Sequence, residues 1–400
     1  MRTARIDLAI AACFCGAFGL FDVLYVLFML SGGPLIGPAM DVLFPDFLVF
    51  HGAARAWFEG KLALVYDIGA FSQYQSMLYP DRFPATETFR PFLYPPIWLL
   101  MLLPLGLMAV TKAYGVFMAA TAALASAVEA RRDMWGWLAV VTSPAAVWVV
   151  LAGQNTFLSV ALLYGGLRLL ERSPAAAGAL LGLLAYKPQI WILVPLALLA
   201  ARQWRALAWT VGTVAMLSLL SLAVFGPALW IAFLEAAREA ASARVVDQMF
   251  TRIFMHMTTL LAAARIVGLP PGLAGAIQLV GAALAVAAVW IAFRRQGSSE
   301  ARTAVLVTAT FLVSPYTLNY DLLLLMPAAV ALFRRGTVEG FYPLERPVYI
   351  ALWMIPTFGM ALNRLDVPVM PLVVLLFGAI AWARLRTAPK GELPEAATAR

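Results

Sequence analysis

Histidine and cysteine are nearly absent from this chain, with two of each in 400 residues. His51 and His256 are far apart, and no ligand spacing joins either to a cysteine, so a metal centre is not expected. Cys13 and Cys15 both fall inside the first apolar run, where a helix points them to different sides, a poor geometry for a disulfide. Charge is scarce too: 12% of residues are charged and 63% are hydrophobic. So little polar surface cannot solvate a globular domain of this size, and most of the chain is expected to lie in a bilayer. The net charge of +8 does not imply nucleic acid, because there is neither a basic stripe nor an RNA motif. Instead Arg131/Arg132, Arg294/Arg295 and Arg334/Arg335 end apolar runs, as cytoplasmic loop ends do. No nucleotide-binding glycine loop is present, so an enzyme built this way takes its activated group from a lipid or a small molecule.

What the chain does have is a series of spans. The first runs from Leu8 to Leu30, behind Arg2 and Arg5, which place the N-terminus in the cytoplasm. Ile10-Ala11-Ala12-Cys13 is not read as a lipoprotein cleavage site, since the apolar run before it is short, contains Asp7 and continues past the cysteine. Residues 31–91 form an outer loop too polar to cross. Within it Asp46 to Glu59 is expected as an amphipathic helix lying flat in the interface, with Phe47, Phe50, Ala54, Trp57 and Phe58 on one stripe and His51, Arg55 and Glu59 on the other. Gly60 supplies the stop.

Apolar runs follow at Phe92–Val110, Ala113–Val128, Trp137–Ala152, Thr156–Leu170, Pro174–Ala200, Ala206–Phe225, Gly272–Phe293, Thr303–Phe333, Pro347–Leu362 and Val367–Ala383. Pro174–Ala200 breaks at Lys187-Pro188 and Thr303–Phe333 at Ser314-Pro315, each read as two half-spans turning at the outer side. Residues 227–252 form a second outer amphipathic segment. The expected fold is an all-α polytopic membrane protein with about ten to twelve crossings. Residues 1–386 make one integral domain, and 387–400 a disordered cytoplasmic tail after Arg384 and Arg386. Simple alternation puts Arg131/Arg132 outside, against the charge rule; a re-entrant piece at Ser143-Pro144 would restore it, leaving the side of Gln154-Asn155 open.

Several residues are candidates for chemistry, each with a plainer reading. Asp46 follows a proline and opens a helix, so it is either an N-cap or a carboxylate offered to the membrane surface. Lys187, beside a proline in an apolar run, either snorkels or binds a phosphate. Gln154 and Asn155 interrupt two apolar runs; they satisfy backbone groups or bond sugar hydroxyls. Tyr320 and Asp321 follow Ser314-Pro315, and an acid there requires a partner or lines a substrate wall. Arg252 and His256, four apart, share a helical face suited to a lipid phosphate, or His256 is structural. Arg90 and Tyr94 mark entry to the second span, Tyr94 doubling as an interfacial anchor. Asp7, Asp22 and Arg265 have no assigned role.

In order, Asp46 with Ala53-Ala54-Arg55-Ala56, Gly60, Tyr66-Asp67, Tyr94-Pro95-Pro96, Gly153-Gln154-Asn155, Gly178 and Gly182 before Lys187-Pro188, and Ser314-Pro315-Tyr316 before Tyr320-Asp321 resemble glycosyltransferase family 87. The resemblance covers roughly Asp46 to Asp321. It implies the GT-C type of fold and transfer of a hexosyl or pentosyl group, mannose favoured, from a polyprenyl-phosphate sugar to a lipid or glycan acceptor. It places the site on the periplasmic side of a bacterial inner membrane. Asp46 matches the family's catalytic acid of the first outer loop. Phe254-Met255-His256-Met257-Thr258-Thr259 stands where the mannosyltransferase branch has an Asn/Gln-Ser pattern, which loosens the mannose and acceptor assignments. No cofactor is expected, because a single phosphate leaving group lessens the need for a divalent metal. The expected partners are donor, acceptor and membrane lipids, not nucleic acid. The rivals are a lipid or solute transporter, which has no use for an acid-led outer loop, and a catalytically dead scaffold.

Overall fold

The computed structural model describes residues 45–83, 90–130, 134–295 and 297–386, with positions 16, 17, 19–21 and 24 of the first span. Expectations for Arg2, Arg5, Asp7, Cys13, Cys15, Asp22, Arg131, Arg132, the start of the outer loop and the tail from 387 lie outside the described residues.

Helix α1 (Pro45–Phe58) begins the described part of the loop segment, and Gly60, at a φ of 68°, ends the helix in a left-handed turn that suits glycine. Asp67 caps α2 (Ile68–Leu78) by accepting the backbone N–H of Ala70 at 2.9 Å. The expected two-sided character of α1 is not what the packing uses. His51, from the polar stripe, is as buried as Phe47, Phe50 and Ala54. Its two ring nitrogens lie 2.6 Å from the Tyr79 hydroxyl and 2.9 Å from the Met108 carbonyl, so a polar ring is satisfied inside. The helix is embedded between α2 and α3 (Pro96–Gly106), with Gly106 close enough to Ala54 that a Cβ would meet it at 2.9 Å. Arg55 and Glu59, paired at 2.9 Å, keep a wetter edge, and the apolar Phe58 at the helix end is 44% exposed.

Helix α4 (Val110–Ala130) follows, then α5 (Met134–Thr142) and α6 (Pro144–Ala152), which meet at Ser143 in a 50° bend. That bend falls where the charge rule asked for a re-entrant piece. After α7 (Thr156–Leu169), the run expected to break at Lys187-Pro188 does so. It comprises α8 (Pro174–Leu183), a 3-10 turn over Leu184–Tyr186, one helical turn at Pro188–Trp191, and α9 (Leu193–Ala200). Helix α10 (Trp204–Phe225) lies tightly against α8 through Gly178 and Gly182. A Cβ on Gly178 would strike the Ala206 carbonyl, and one on Gly182 would stand 2.6 Å from Thr213 Cβ.

The segment expected to be a second outer one is two helices, α11 (Pro227–Ala240) and α12 (Ala243–Ile253), followed by a 3-10 turn over Phe254–His256 and the short α13 (Leu260–Ile266). Arg265 pairs with Asp247 at 2.8 Å. Helix α14 (Pro271–Arg294) leads to α15 (Ser299–Val313), which stops at Ser314-Pro315 as expected. A short extended stretch forms an isolated bridge between Met257 and Leu318, then a 3-10 turn over Asn319–Leu325 runs into α16 (Met326–Glu339). Helices α17 (Glu345–Arg364) and α18 (Val369–Arg386) are the last described elements, tied by Arg384, whose guanidinium reaches both oxygens of Glu345 at 3.1 and 2.6 Å.

The fold is an all-α polytopic one. By length and composition three helices among the described residues can cross a bilayer alone, Val110–Glu129, Trp204–Phe225 and Pro271–Arg294, or four with the bent pair. Several of the remaining apolar runs are divided into shorter helices by proline and by polar turns, so apolar runs outnumber the helices that can span alone.

Candidate active site

Three interruptions of apolar runs converge with the first turn of α1. At the end of α6, Gly153 adopts the left-handed conformation at φ 73°, turning the chain so that Gln154 and Asn155 enter the interior. At the second break, Pro188 removes a helical N–H and leaves Lys187 projecting between the 3-10 turn and the next helix. At the third, the turn over Asn319–Leu325 carries Tyr320 and Asp321, whose Oδ2 accepts the Leu318 backbone N–H at 3.2 Å.

The side chains form one hydrogen-bonded cluster. Gln154 Nε2 donates to Asp46 Oδ2 at 2.8 Å and to the Tyr320 hydroxyl at 3.0 Å. Gln154 Oε1 accepts from the Asn155 backbone N–H at 3.1 Å and from the Tyr94 hydroxyl at 3.3 Å. Lys187 Nζ donates to Asp321 Oδ1 at 2.6 Å and to Asn155 Oδ1 at 3.2 Å, and lies 5.6 Å from the Tyr320 ring centre. Lys187, Asp321, Gln154 and Asn155 are buried, while Asp46 keeps partial exposure. Burial pushes the Asp46 carboxyl above its ordinary pKa, against the hydrogen bonds of Gln154 and Tyr320 and the charge of Lys187. The Asp46 carboxylate reaches across to Gln154, 108 residues away, rather than serving its own helix alone.

The cluster thus holds Asp46, Tyr94, Gln154, Asn155, Lys187, Tyr320 and Asp321. His256 borders it, with Nδ1 at 3.3 Å from Asn319 Oδ1 and its ring edge-on to Trp148 at 6.0 Å. Burial brings its pKa down to about 4, so it is neutral at pH 7 and offers a hydrogen bond rather than a charge. Arg252 and His256 do not share an α-helical face, because the α-helix ends at Ile253; the Arg252 side chain lies outside the described residues. Arg90 is placed elsewhere. Its guanidinium bonds the Ser72 carbonyl at 2.9 Å and the Ser76 hydroxyl at 2.5 Å and covers the Phe83 ring at 3.9 Å, fastening α2 to the entry of α3.

Sequence reasoning passed over two members. Thr156 donates to Asp321 Oδ1 at 3.2 Å. Tyr186 stacks on Trp98 at 4.4 Å, meets the Ser159 hydroxyl at 2.8 Å and donates to the Asn155 carbonyl at 3.2 Å. Both are immediate neighbours of flagged residues, Asn155 and Lys187, and that adjacency was the available signal. Among the described residues no group of acids, histidines and cysteines has metal-holding geometry.

Chemically the cluster offers two carboxylates, those of Asp46 and Asp321, several hydroxyls and amides, and an ammonium in a dry setting. The profile of glycosyltransferase family 87 matches residues 92–315. No curated protein and no solved structure matches the chain. The matched stretch carries Tyr94, Gln154, Asn155, Lys187 and His256; Asp46 precedes it and Asp321 follows it, and the hydrogen bonds above join both to it. With more than half of its length covered, this polytopic protein belongs to glycosyltransferase family 87 and is a membrane glycosyltransferase with a GT-C-like all-α fold.

Proposed function

We propose that the chain moves a hexosyl or pentosyl group, mannose favoured, from a polyprenyl-phosphate sugar to a lipid or glycan acceptor at the outer face of a bacterial inner membrane. Asp46 is the catalytic base. The observation that carries this reading is the Asp46 carboxylate held at 2.8 Å by Gln154, in one cluster with the buried Lys187. The acceptor hydroxyl oxygen attacks the anomeric carbon, and its proton passes to Asp46 as the new bond forms. The bond from that carbon to the phosphate oxygen breaks, and the electron pair leaves with the lipid phosphate. Lys187 faces that growing charge, with two donations already made to the protein and a third hydrogen left. The buried Asn155 Nδ2, which has no hydrogen-bond partner among the described residues, and the Tyr94 and Tyr320 hydroxyls suit sugar hydroxyls.

The test is reconstitution in liposomes with labelled polyprenyl-phosphate sugars, hexoses and pentoses in parallel, scoring label transferred to lipid and glycan acceptors. Transfer from at least one polyprenyl-phosphate sugar is expected, most rapidly from mannose. A folded preparation that transfers only from a different donor class, or only moves lipid across the bilayer, contradicts the proposal.

A further inference from the structure

Gln154 was expected to touch sugar, yet its hydrogen-bonding capacity is filled by the protein. A primary amide has two N–H donors and an oxygen with two lone pairs. Which end is which follows from the partners, and here one partner decides it: the Asn155 backbone N–H can only donate, so the atom 3.1 Å from it is the oxygen. The Tyr94 hydroxyl takes the oxygen's other side at 3.3 Å. The NH2 group then faces Asp46 Oδ2 and the Tyr320 hydroxyl, one hydrogen for each. Gln154 is buried and follows the left-handed Gly153, so turning the amide toward a substrate would strip a buried N–H of its acceptor.

We infer that Gln154 is a positioning residue for Asp46: its backbone-locked amide grips one carboxylate oxygen and leaves the other facing the acceptor hydroxyl. This rests on reading Asp46 as the base. The groups facing Asp46 are Lys187 and Asp321, with the phenols of Tyr94, Tyr316 and Tyr320; from α4, Tyr114 packs on the neighbouring Phe47. None of them meets Asp46 with a donor fixed from behind by the backbone, as Gln154 does.

The experiment measures pH profiles of kcat/KM, donor KM and thermal melting for Gln154→Glu and Gln154→Met, beside Asp46→Asn. Glutamate keeps the shape but sets a second carboxylate against Asp46. The acid limb of the profile is expected to move up by about one pH unit or more. Methionine keeps the volume without donors, and kcat is expected to fall roughly 10²-fold with donor KM within about twofold. A raised donor KM with an unmoved pH limb in either variant makes Gln154 a sugar ligand and overturns the inference. An inactive, folded Asp46→Asn alongside a wild-type profile in Gln154→Glu overturns it while the base survives. An active Asp46→Asn removes the base itself, whatever the Gln154 variants do.

Discussion

Lys187 Nζ stands 2.6 Å from Asp321 Oδ1, a buried ion pair that joins two helix breaks 134 residues apart. Neither charge is tolerable alone in a dry interior, and each is further satisfied: Asp321 by the Leu318 N–H and Thr156, Lys187 by Asn155. The pair therefore serves the fold and, on the proposed reading, holds an ammonium ready for the donor phosphate.

Two consequences can be separated. Lys187→Ala strands a buried carboxylate and is expected to destabilise by about 3–5 kcal/mol. Removing both charges in Lys187→Met/Asp321→Leu should restore much of the melting temperature. Donor binding should stay more than tenfold weaker in that double variant, because a charge-assisted contact contributes roughly 1.5–3 kcal/mol. Wild-type affinity for labelled donor in the refolded pair would make Lys187 purely structural.

The close approach of α8 and α10 fixes the turn that presents Lys187. Gly182→Leu should lower the melting temperature and abolish transfer, since a Cβ there already stands 2.6 Å from Thr213 Cβ. Gly212→Ala, on the same α10 but with open space around it, should be neutral or stabilising by up to about 1 kcal/mol. Equal losses in the two variants, measured by melting in detergent, would contradict this packing.

Much of this was legible in the sequence because membrane interiors make polar residues conspicuous. Lys187, Asp321, Gln154 and Asn155 stand out in apolar runs, and the breaks at Lys187-Pro188 and Ser314-Pro315 fall where proline requires them. Pairing was not legible: nothing local says that Lys187 meets Asp321 or that Gln154 meets Asp46. The periodicity of α1 misled, because His51 looks like a polar face until Tyr79 and Met108 arrive to satisfy it. Arg90 sits in a motif beside Tyr94, yet Ser72 and Ser76 draw it away from the cluster.

His256 should titrate near pH 4 rather than 6.5, because burial disfavours its charged form. The unfolded chain takes up this proton first, so His256 favours folding fully above pH 6.5, and that contribution is lost as pH falls from 6.5 toward 4. Proton NMR of labelled histidine, assigned with His51→Gln, reads the midpoint directly. A midpoint near 6.5 would return His256 to the role of a cation.

Topology can be tested at two exposed positions in a background without Cys13 and Cys15. Met77 on α2 and Val338 on α16 are both strongly exposed, whereas Ser72 is buried against Arg90. An impermeant thiol reagent added to intact spheroplasts should label Met77→Cys and spare Val338→Cys until lysis. The reverse pattern would move the proposed site to the cytoplasm.

The most direct test of the account is turnover by Asp46→Asn. Asparagine caps a helix about as well as aspartate and keeps the side-chain shape, so a purely structural Asp46 would leave activity intact. As the base, its loss should lower kcat by roughly 10²–10⁴-fold with melting and donor affinity largely kept. In the wild type, the acid limb of the rate profile should lie above the ordinary carboxylate range, because burial raises the Asp46 pKa and only the ionised form accepts a proton. A folded Asp46→Asn protein that transfers sugar at near the wild-type rate would contradict the account.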